Sequence, residues 1–362
     1  MTNANDVSVV VCMYDRARWR EIRLCLDSLG RQTYAPAQVI AVVDGHEELA
    51  EDVRRAYPEV TLVALPQNRG LSAARNAGTE QVDTPWVAFL DDDAYAEPDW
   101  LEKLVEAREA SGAVGVGGWV EPVFMADNPG WFPEELLWTV GCSHAGLPRE
   151  RELVRNVFGG CALMSVDALR DNGGYDPAVG RRGDDAAGGE EADLCLRILQ
   201  TQPDARFVLE PSAVIHHHVP PERARRGYVL RRCFVDGRAK AGIARRRGAG
   251  SLSSESDFAK AVLPRLGQHL RARRPGAAWM LFAGTGVAGV GFVRGLAASM
   301  GGRRAGASAA ARPDARQTAP AATPATAANT APGTRATSTA AADADRTSRA
   351  TTDREEVTTC VS

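Results

Sequence analysis

The sequence predicts an α/β protein whose central sheet is mostly parallel, with helices on both faces. Short apolar runs at residues 7–13, 39–43, 60–65 and 86–90 alternate with stretches of helical periodicity. Strands that are buried on both faces are apolar throughout, whereas half-exposed strands alternate between apolar and polar residues. Acidic residues follow several of these runs. Because ligands of such sheets bind beyond the carboxyl ends of the strands, we expect the functional site at that edge.

The other elements follow from the same periodicities. Helical patterns occupy residues 22–29, 47–57, 70–82, 98–110 and 190–200, and further strands are expected at 113–120 and 207–216. Residues 122–156 are irregular and rich in aromatic side chains, namely Phe124, Trp131, Phe132 and Trp138. A substrate-binding insertion and a simple packing element both fit this composition.

Four regions are predicted along the 362 residues. Residues 1–220 form the α/β domain, and 221–275 form a basic helical extension. Residues 276–300 form an apolar helix, whose most apolar part is shorter than the roughly 20 residues that usually span a bilayer. Association with a membrane and burial in the protein are both open for this helix. Residues 301–362 consist mainly of Ala, Thr, Pro and Arg, so we expect a disordered tail.

Charge and cysteine usage narrow the classes of function. The net charge of −3 does not favour a nucleic-acid partner, but residues 222–275 contain fifteen Arg or Lys against four Asp or Glu. Such a basic strip favours contact with phosphates or an anionic membrane surface. The seven cysteines are scattered without a CxxC pair, and no signal peptide is visible. These features predict a protein of the cytoplasm.

The most informative motif is the triplet Asp91-Asp92-Asp93, which follows the apolar run at 86–90. Adjacent carboxylates repel one another unless a cation or hydrogen-bond donors compensate. Mg²⁺ and Mn²⁺ prefer carboxylate oxygens. Residues i and i+2 of an extended segment point the same way, so Asp91 and Asp93 can share a metal or ligand while Asp92 points elsewhere. An acidic turn that caps the next helix is the structural alternative.

Glu190 and Glu191 open a helix directly after two glycines. A carboxylate held there could remove the proton from an acceptor hydroxyl, although acidic residues also cap helices without any catalytic role. Arg75 lies on a helix that precedes the acidic strand, where it could bind phosphate, fix a carboxylate or form a surface ion pair.

Three consecutive histidines, His216 to His218, follow the last predicted strand. Imidazole can join carboxylates around Mn²⁺. Alternation places His216 and His218 on one face, which makes His216 a candidate metal ligand. A solvated turn would explain the histidines equally well.

Six segments carry a joint pattern: Val-Ser-Val-Val-Val-Cys-Met-Tyr-Asp-Arg (7–16), Val-Val-Asp-Gly (42–45), Asn-Arg-Gly-Leu-Ser-Ala-Ala-Arg-Asn (68–76), Phe-Leu-Asp-Asp-Asp-Ala (89–94), Gly-Gly-Tyr-Asp (173–176) and Gly-Gly-Glu-Glu-Ala-Asp-Leu (188–194). In this order and spacing they resemble glycosyltransferase family 2, whose members have the Rossmann-like GT-A fold. The resemblance covers about residues 7–240. Within the family, residues 131–144 and 155–160 are similar to the group that adds glucuronic acid to glucosyl-dolichyl phosphate.

The resemblance implies an inverting transfer of a sugar from a UDP-sugar to a hydroxyl of a glycan or of a polyprenyl-phosphate-linked sugar. Glucuronic acid is the candidate for the transferred sugar. The implied place is the cytoplasmic face of the membrane, and the implied cofactor is Mg²⁺ or Mn²⁺. On this basis the donor nucleotide would contact Tyr14, Asp15, Asp44, Arg75 and Asp91.

The resemblance also implies the remaining roles. Asp91, Asp93 and His216 would hold the metal, and Arg231, Arg232 and Trp138 would meet the acceptor or its phosphate. Glu191 stands where the family usually has the Asp that acts as catalytic base, and this Glu-for-Asp difference makes Glu190 a rival.

Two other classes of protein are alternatives to a transferase. A nucleotide-dependent dehydrogenase needs a glycine-rich first turn, and residues 12–17 contain no glycine. A sugar-nucleotide-binding scaffold protein that has lost turnover remains open.

Overall fold

The computed structural model describes residues 6–126, 129–179, 188–247 and 253–309. The last helix of the chain continues to Ala309. The rest of the tail predicted to be disordered, from residue 310 onward, lies outside the described residues.

The chain begins with strands and helices in alternation. The first elements are β1 (Val7–Met13), α1 (Trp19–Leu29), β2 (Gln38–Asp44), α2 (Glu47–Ala56), β3 (Thr61–Leu65), α3 (Leu71–Thr79) and β4 (Trp86–Asp91). The middle contains β5 (Ala94–Ala96), α4 (Trp100–Ser111), β6 (Gly115–Phe124), β7 (Glu152–Val154), β8 (Cys161–Ser165) and α5 (Val166–Asp171). The last elements are α6 (Glu190–Thr201), β9 (Phe207–Val219), α7 (Arg226–Arg247), α8 (Ser253–Arg271) and α9 (Pro275–Ala309). Two 3₁₀ helices, Arg16–Arg18 and Glu134–Val140, complete the described structure.

The predicted α/β class is confirmed, and the sheet is mixed. Its order is β3-β2-β1-β4-β8-β6-β9-β5, with β7 paired to β9. The pairs among β1 to β4 are parallel, as is β6 with β9. The short strands β5, β7 and β8 pair in antiparallel fashion with their neighbours. Strands of three to five residues are too short to show a clear periodicity in the sequence. The sequence pattern therefore overestimates the parallel share of the sheet.

The register of the parallel strands brings their carboxyl ends level. Cys12 on β1 pairs with Asp91 on β4, and Met13 pairs with Val43, which precedes Asp44 on β2. Asp44 and the acidic triplet therefore emerge at the same edge of the sheet, as the sequence predicted.

Helices cover both faces of this sheet, which explains the uninterrupted apolar strands. On β1, Val9 packs in one buried cluster that includes Ile22 and Trp100, whereas Val10 packs in a second cluster that includes Phe89 and Leu194. Both faces of the strand are thus excluded from water.

The segment at 122–156 is largely irregular, as expected, and includes the 3₁₀ helix Glu134–Val140. This 3₁₀ helix packs against α7 and α9. Among the described residues, one helix is long and apolar enough to cross a membrane, over Pro275–Ala298 (24 residues). The proposed boundary at residue 220 falls in the connection between β9, which ends at Val219, and α7, which begins at Arg226.

Candidate active site

A pocket opens at the carboxyl edge of the parallel strands. It is lined by residues that follow β1, β2 and β4, by the start of α6, by the 3₁₀ helix Glu134–Val140 and by residues after β9. Nine of the twelve sequence-predicted site residues line it, namely Tyr14, Asp44, Arg75, Asp91, Asp93, Trp138, Glu190, Glu191 and Arg232. Asp15, His216 and Arg231 do not.

Asp93 is surrounded by cationic groups. Its Oδ1 lies 3.1 Å from His217 Nε2, and its Oδ2 lies 3.2 Å from Arg18 Nη1 and 3.6 Å from Arg223 Nη1. Burial alone would raise the pKa of Asp93, but His217 and Arg18 outweigh burial and hold the pKa well below its usual range. These neighbours therefore favour the ionised form of Asp93.

Asp92 differs from both of its neighbours. Its Oδ1 accepts a hydrogen bond from Arg18 Nη1 at 3.1 Å, whereas its buried Oδ2 has no hydrogen-bond partner. Burial and the negative charge of Asp93 raise the pKa of Asp92, so its protonated form is favoured. The triplet thus relieves its own repulsion by unequal ionisation as well as by ion pairs.

Arg75 connects the acidic strand to the acidic helix. Its Nη2 lies 3.3 Å from Asp91 Oδ1, and its Nη1 lies 3.4 Å from Glu190 Oε1. The guanidinium is buried and lies over the ring of Tyr175, with 5.3 Å between its central carbon and the ring centroid. The surface ion pair that the sequence left open is therefore excluded by burial.

Two glycines allow these groups to approach. A Cβ on Gly160 would lie 2.1 Å from the Asp91 carboxylate, so any side chain there would displace it. Gly189, the N-cap of α6, has φ +103°, a conformation that residues with a side chain rarely adopt. Gly189 thus sets how α6 begins, and with it the positions of Glu190 and Glu191.

Glu190 and Glu191 are in different environments. Glu190 Oε1 faces Arg75, whereas Oε2 of Glu190 and Oε2 of Glu191 are both buried without a hydrogen-bond partner. Burial, followed by the charge of Glu190, raises the pKa of Glu191 to about 7. A carboxylate with this pKa can both exist as the base at neutral pH and bind the proton that it removes.

Three residues that the sequence predicts to contact the donor nucleotide lie at the ends of β1 and β2. Tyr14 is half-exposed, and its hydroxyl accepts a hydrogen bond from Arg18 at 3.3 Å. Asp44 is buried, and its two oxygens accept hydrogen bonds from the amides of Arg69 and Gly70, both at 2.8 Å. Asp15 accepts a hydrogen bond from Ala17 N at 2.9 Å and caps the 3₁₀ helix there. Asp15 is not among the residues that line the pocket.

The histidine assignment needs correction: the structure places His217, and not His216, beside the triplet. Along β9, the odd-numbered residues from Ala213 to Val219 point inward and are buried. His216 faces the other way, where its Nε2 lies 2.6 Å from Glu97 Oε1 and its ring stacks on Tyr95 at 4.8 Å. Alternation correctly put His216 and His218 on one face, but that face is turned away from the pocket.

Of the residues predicted to contact the acceptor substrate, some line the pocket and one does not. Trp138 lines the pocket, and Lys240 lies over its ring at 5.3 Å from the centroid. Arg232 is buried and lines the pocket, whereas its neighbour Arg231 is exposed outside the lining. Consecutive residues of a helix point in different directions, and of this pair it is Arg232 that faces the site.

Sequence reasoning missed Arg18, Arg223, His217 and the role of Gly160. Arg18 and Arg223 each have other arginines close by in the sequence, and no spacing distinguishes them from surface arginines. The Arg-Asn-Val-Phe-Gly-Gly segment at 155–160 contained a signal for the close approach of Gly160, because paired glycines before a strand often mark one.

Carboxylates and arginines cluster beyond the parallel strands of this mixed α/β domain, an arrangement that fits the class of protein indicated by the sequence motifs, the glycosyltransferases. Comparison with known proteins agrees. The profile described as "Glycosyl transferase family 2" matches residues 8–173. The glucosyl-dolichyl phosphate glucuronosyltransferase of Haloferax volcanii is 38% identical over 238 residues, which cover 65% of this chain and 76% of that protein.

Two more distant similarities were found. The succinoglycan biosynthesis protein ExoM of Rhizobium meliloti is 27% identical over 238 residues, covering 64% of this chain and 72% of that protein. The crystal structure of GalNAc-T7 with UDP, GalNAc and Mn²⁺ aligns with a TM-score of 0.48 and 14% identity, covering 72% of this chain and 55% of that one.

The chain belongs to glycosyl transferase family 2. The predicted family, the α/β fold class and the function of an inverting glycosyltransferase are thereby confirmed.

Proposed function

We propose that the protein transfers glucuronic acid from a UDP-sugar to a hydroxyl of a polyprenyl-phosphate-linked sugar, with a divalent metal ion bound beside the donor. The observation that carries the proposal is the convergence of Asp44, Asp91 to Asp93 and Glu190-Glu191 on one pocket. The H. volcanii relative is described as acting on glucosyl-dolichyl phosphate, which supports this choice of donor sugar and acceptor.

The donor is assigned to the part of the pocket nearest β1, β2 and β4. Tyr14 and Asp44 would contact the uridine, and the arginines of the pocket would balance the negative charges of the diphosphate and of a uronic acid. Four arginines line it, namely Arg18, Arg75, Arg223 and Arg232. Arginine suits this task because its planar guanidinium binds carboxylate and phosphate oxygens in pairs.

The pocket residues could hold Mg²⁺ or Mn²⁺ only if the phosphates of the donor supplied the remaining ligands. Among the described residues, no group of three or more His, Cys, Asp or Glu could hold a metal ion unaided. Asp91 lines the pocket and has a side chain that is 39% exposed, so its carboxylate could reach such an ion. One or two carboxylates plus phosphate oxygens are the usual ligands of protein-bound Mg²⁺. The ion would offset the charge that develops on the leaving diphosphate.

In the proposed reaction, Glu191 accepts the proton of the acceptor hydroxyl as that oxygen attacks the anomeric carbon. The attack comes from the side opposite the leaving UDP, so the configuration is inverted. Glu190 is held by Arg75 and acts on the position of α6. Trp138 and Arg232 are the proposed acceptor contacts, since both line the pocket. An acceptor of this kind would place the enzyme at the cytoplasmic face of the membrane.

A donor panel tests the proposal. Purified protein is mixed with UDP-glucuronic acid, UDP-glucose or GDP-mannose and a short-chain polyprenyl-phosphate glucoside, with Mn²⁺, Mg²⁺ or EDTA. We expect a glucuronosylated product of inverted anomeric configuration with UDP-glucuronic acid and metal. Product formation with UDP-glucose but not with UDP-glucuronic acid would overturn the choice of sugar. Full turnover in EDTA would overturn the requirement for a metal ion. Donor binding without any product would favour the non-catalytic scaffold.

A further inference from the structure

Helix α9 has an apolar face that is open to solvent in the described part of the protein. Trp279, Phe282, Val290 and Val293 are 55%, 67%, 54% and 64% exposed. Their spacings of three, eight and three residues keep them on one side of an α-helix. Four large apolar side chains exposed along one side of a helix are more than the scattered exposure usual for a soluble monomer, so the face calls for a partner.

The opposite face of α9 is locked to the protein. A Cβ on Gly237 of α7 would lie 2.0 Å from Ala288 O, and a Cβ on Gly291 would lie 2.1 Å from Phe234 O. The backbones of α7 and α9 therefore touch. Met280 is fully buried on this side as well. Helix α9 cannot leave α7 without breaking this contact.

The partner helix α7 cannot enter a bilayer. Its sequence, Arg226–Arg247, contains eight Arg or Lys and a single acidic residue. Cations within the hydrocarbon core are costly, and α9 could span the membrane in its present packing only if α7 went with it. A helix with one apolar face and a protein-bound opposite face lies along the interface instead.

The charges beside the apolar face fit anionic lipid. Arg271 and Arg273 are exposed just before α9, and Arg294 is exposed near the end of the face. Tryptophan, here Trp279, is enriched at membrane interfaces. A second copy packed in antiparallel fashion would bring these arginines against each other. The chain's own tail beyond residue 310 has almost no large apolar residues to cover the face.

The same helix supports one wall of the active-site pocket. A Cβ on Gly284 would lie 2.9 Å from Leu136 Cδ1, so α9 contacts the 3₁₀ helix Glu134–Val140 directly. That 3₁₀ helix also contains Trp138 and Val140, which line the pocket. The exposed face of α9 and the proposed acceptor contacts are therefore separated by one structural element.

We infer that α9 docks the enzyme on an anionic membrane surface, lying in the plane of the interface with Trp279, Phe282, Val290 and Val293 inserted among the lipids. Membrane docking rests on the proposed function and deepens it, because docking would bring the pocket to a lipid-linked acceptor.

Sedimentation of the full chain with vesicles tests the inference. The vesicles contain phosphatidylcholine with phosphatidylglycerol, or phosphatidylcholine alone. Phe282→Glu and Val293→Glu should each weaken binding to the anionic vesicles roughly tenfold, because a charge replaces an inserted apolar group. Leu153→Glu is the matched control: Leu153 is 62% exposed on β7, and its variant should bind like the wild type. Alkaline carbonate should release the wild type from the vesicles.

Three results would overturn the inference. These are unchanged vesicle binding by Phe282→Glu, resistance of the wild type to carbonate extraction, and a dimer that Phe282→Glu dissociates without any loss of vesicle binding. Thermal unfolding checks that each variant is folded. Turnover with a water-soluble acceptor, measured on the same preparations, reports on the proposed function separately, since it needs no vesicle.

Discussion

Arg75 Nη1 lies 3.4 Å from Glu190 Oε1, although the two residues are 115 positions apart in the chain. The same guanidinium contacts Asp91 through its other amino group at 3.3 Å. One buried cation therefore holds the start of α6 against the end of β4. In the proposed reaction these elements supply the base and the donor site, so Arg75 sets the distance between them.

Replacement of Arg75 by methionine should destabilise the protein and abolish transfer. Methionine keeps much of the side-chain volume but leaves two carboxylates near one another without their cation. Loss of one partner from a buried ion pair typically costs about 3–5 kcal/mol of unfolding free energy. Urea unfolding and donor turnover would measure the two effects. Arg55→Met is the control, because Arg55 is 77% exposed and should tolerate the change. An Arg75→Met protein as stable as the wild type would contradict the linking role.

The pH dependence of transfer should report on Glu191. Its folded-state pKa is raised to about 7, so its protonated form, which cannot act as a base, accumulates as the pH falls through that value. We therefore expect kcat/KM to drop about tenfold per pH unit below about pH 7 and to level off above it.

Glu191→Gln provides the matching variant. It should lower kcat by roughly 10²–10⁴-fold, the usual contribution of a general base, and should still bind donor in a thermal-shift assay. Glu190→Gln is the comparison. If Glu190→Gln lost the pH-dependent rate and Glu191→Gln kept it, the base would be Glu190.

The histidine pair distinguishes the two faces of β9. His217→Asn removes the cation next to Asp93 Oδ1 and should reduce turnover by roughly 10–100-fold, as is usual when a group that orients a functional carboxylate is lost. His216→Asn breaks the pair with Glu97 and the ring stack on Tyr95, both on the other face, and should leave turnover close to the wild-type value. Turnover rates of the two variants with saturating Mn²⁺ are the measurement. A greater loss of turnover in His216→Asn than in His217→Asn would support His216 as the metal ligand.

The sequence was sufficient for features that depend on local pattern. The strand at 7–13 has the predicted limits, and the carboxylates of Asp44 and Asp91 to Asp93 lie at the predicted edge. Both follow from apolar continuity and from the common direction of parallel strands.

Features that depend on tertiary contacts were less accessible. Alternation shows that His216 and His218 share a face, but the packing of the whole sheet decides which face is buried. Arg18 reaches Asp92 and Asp93 from 74 and 75 residues away, and no local pattern encodes such a contact. The burial that raises the pKa of Glu191 likewise arises only when α6 packs into the fold.

Gly160→Ala tests whether close backbone approach is needed at Asp91. The added methyl group would begin 2.1 Å from the Asp91 carboxylate, so either the carboxylate or the segment before β8 must move. Because Asp91 also pairs with Arg75, its displacement should raise the KM for donor as well as lower kcat. Gly227→Ala is the matched control: in the described part of the protein, apart from its chain neighbours and the nearby backbone of its own helix, no atom lies within 4 Å of the Cβ that it adds. Steady-state kinetics with varied UDP-sugar measures both constants. Wild-type kinetics for Gly160→Ala would show that the position of the Asp91 carboxylate does not limit donor binding or transfer.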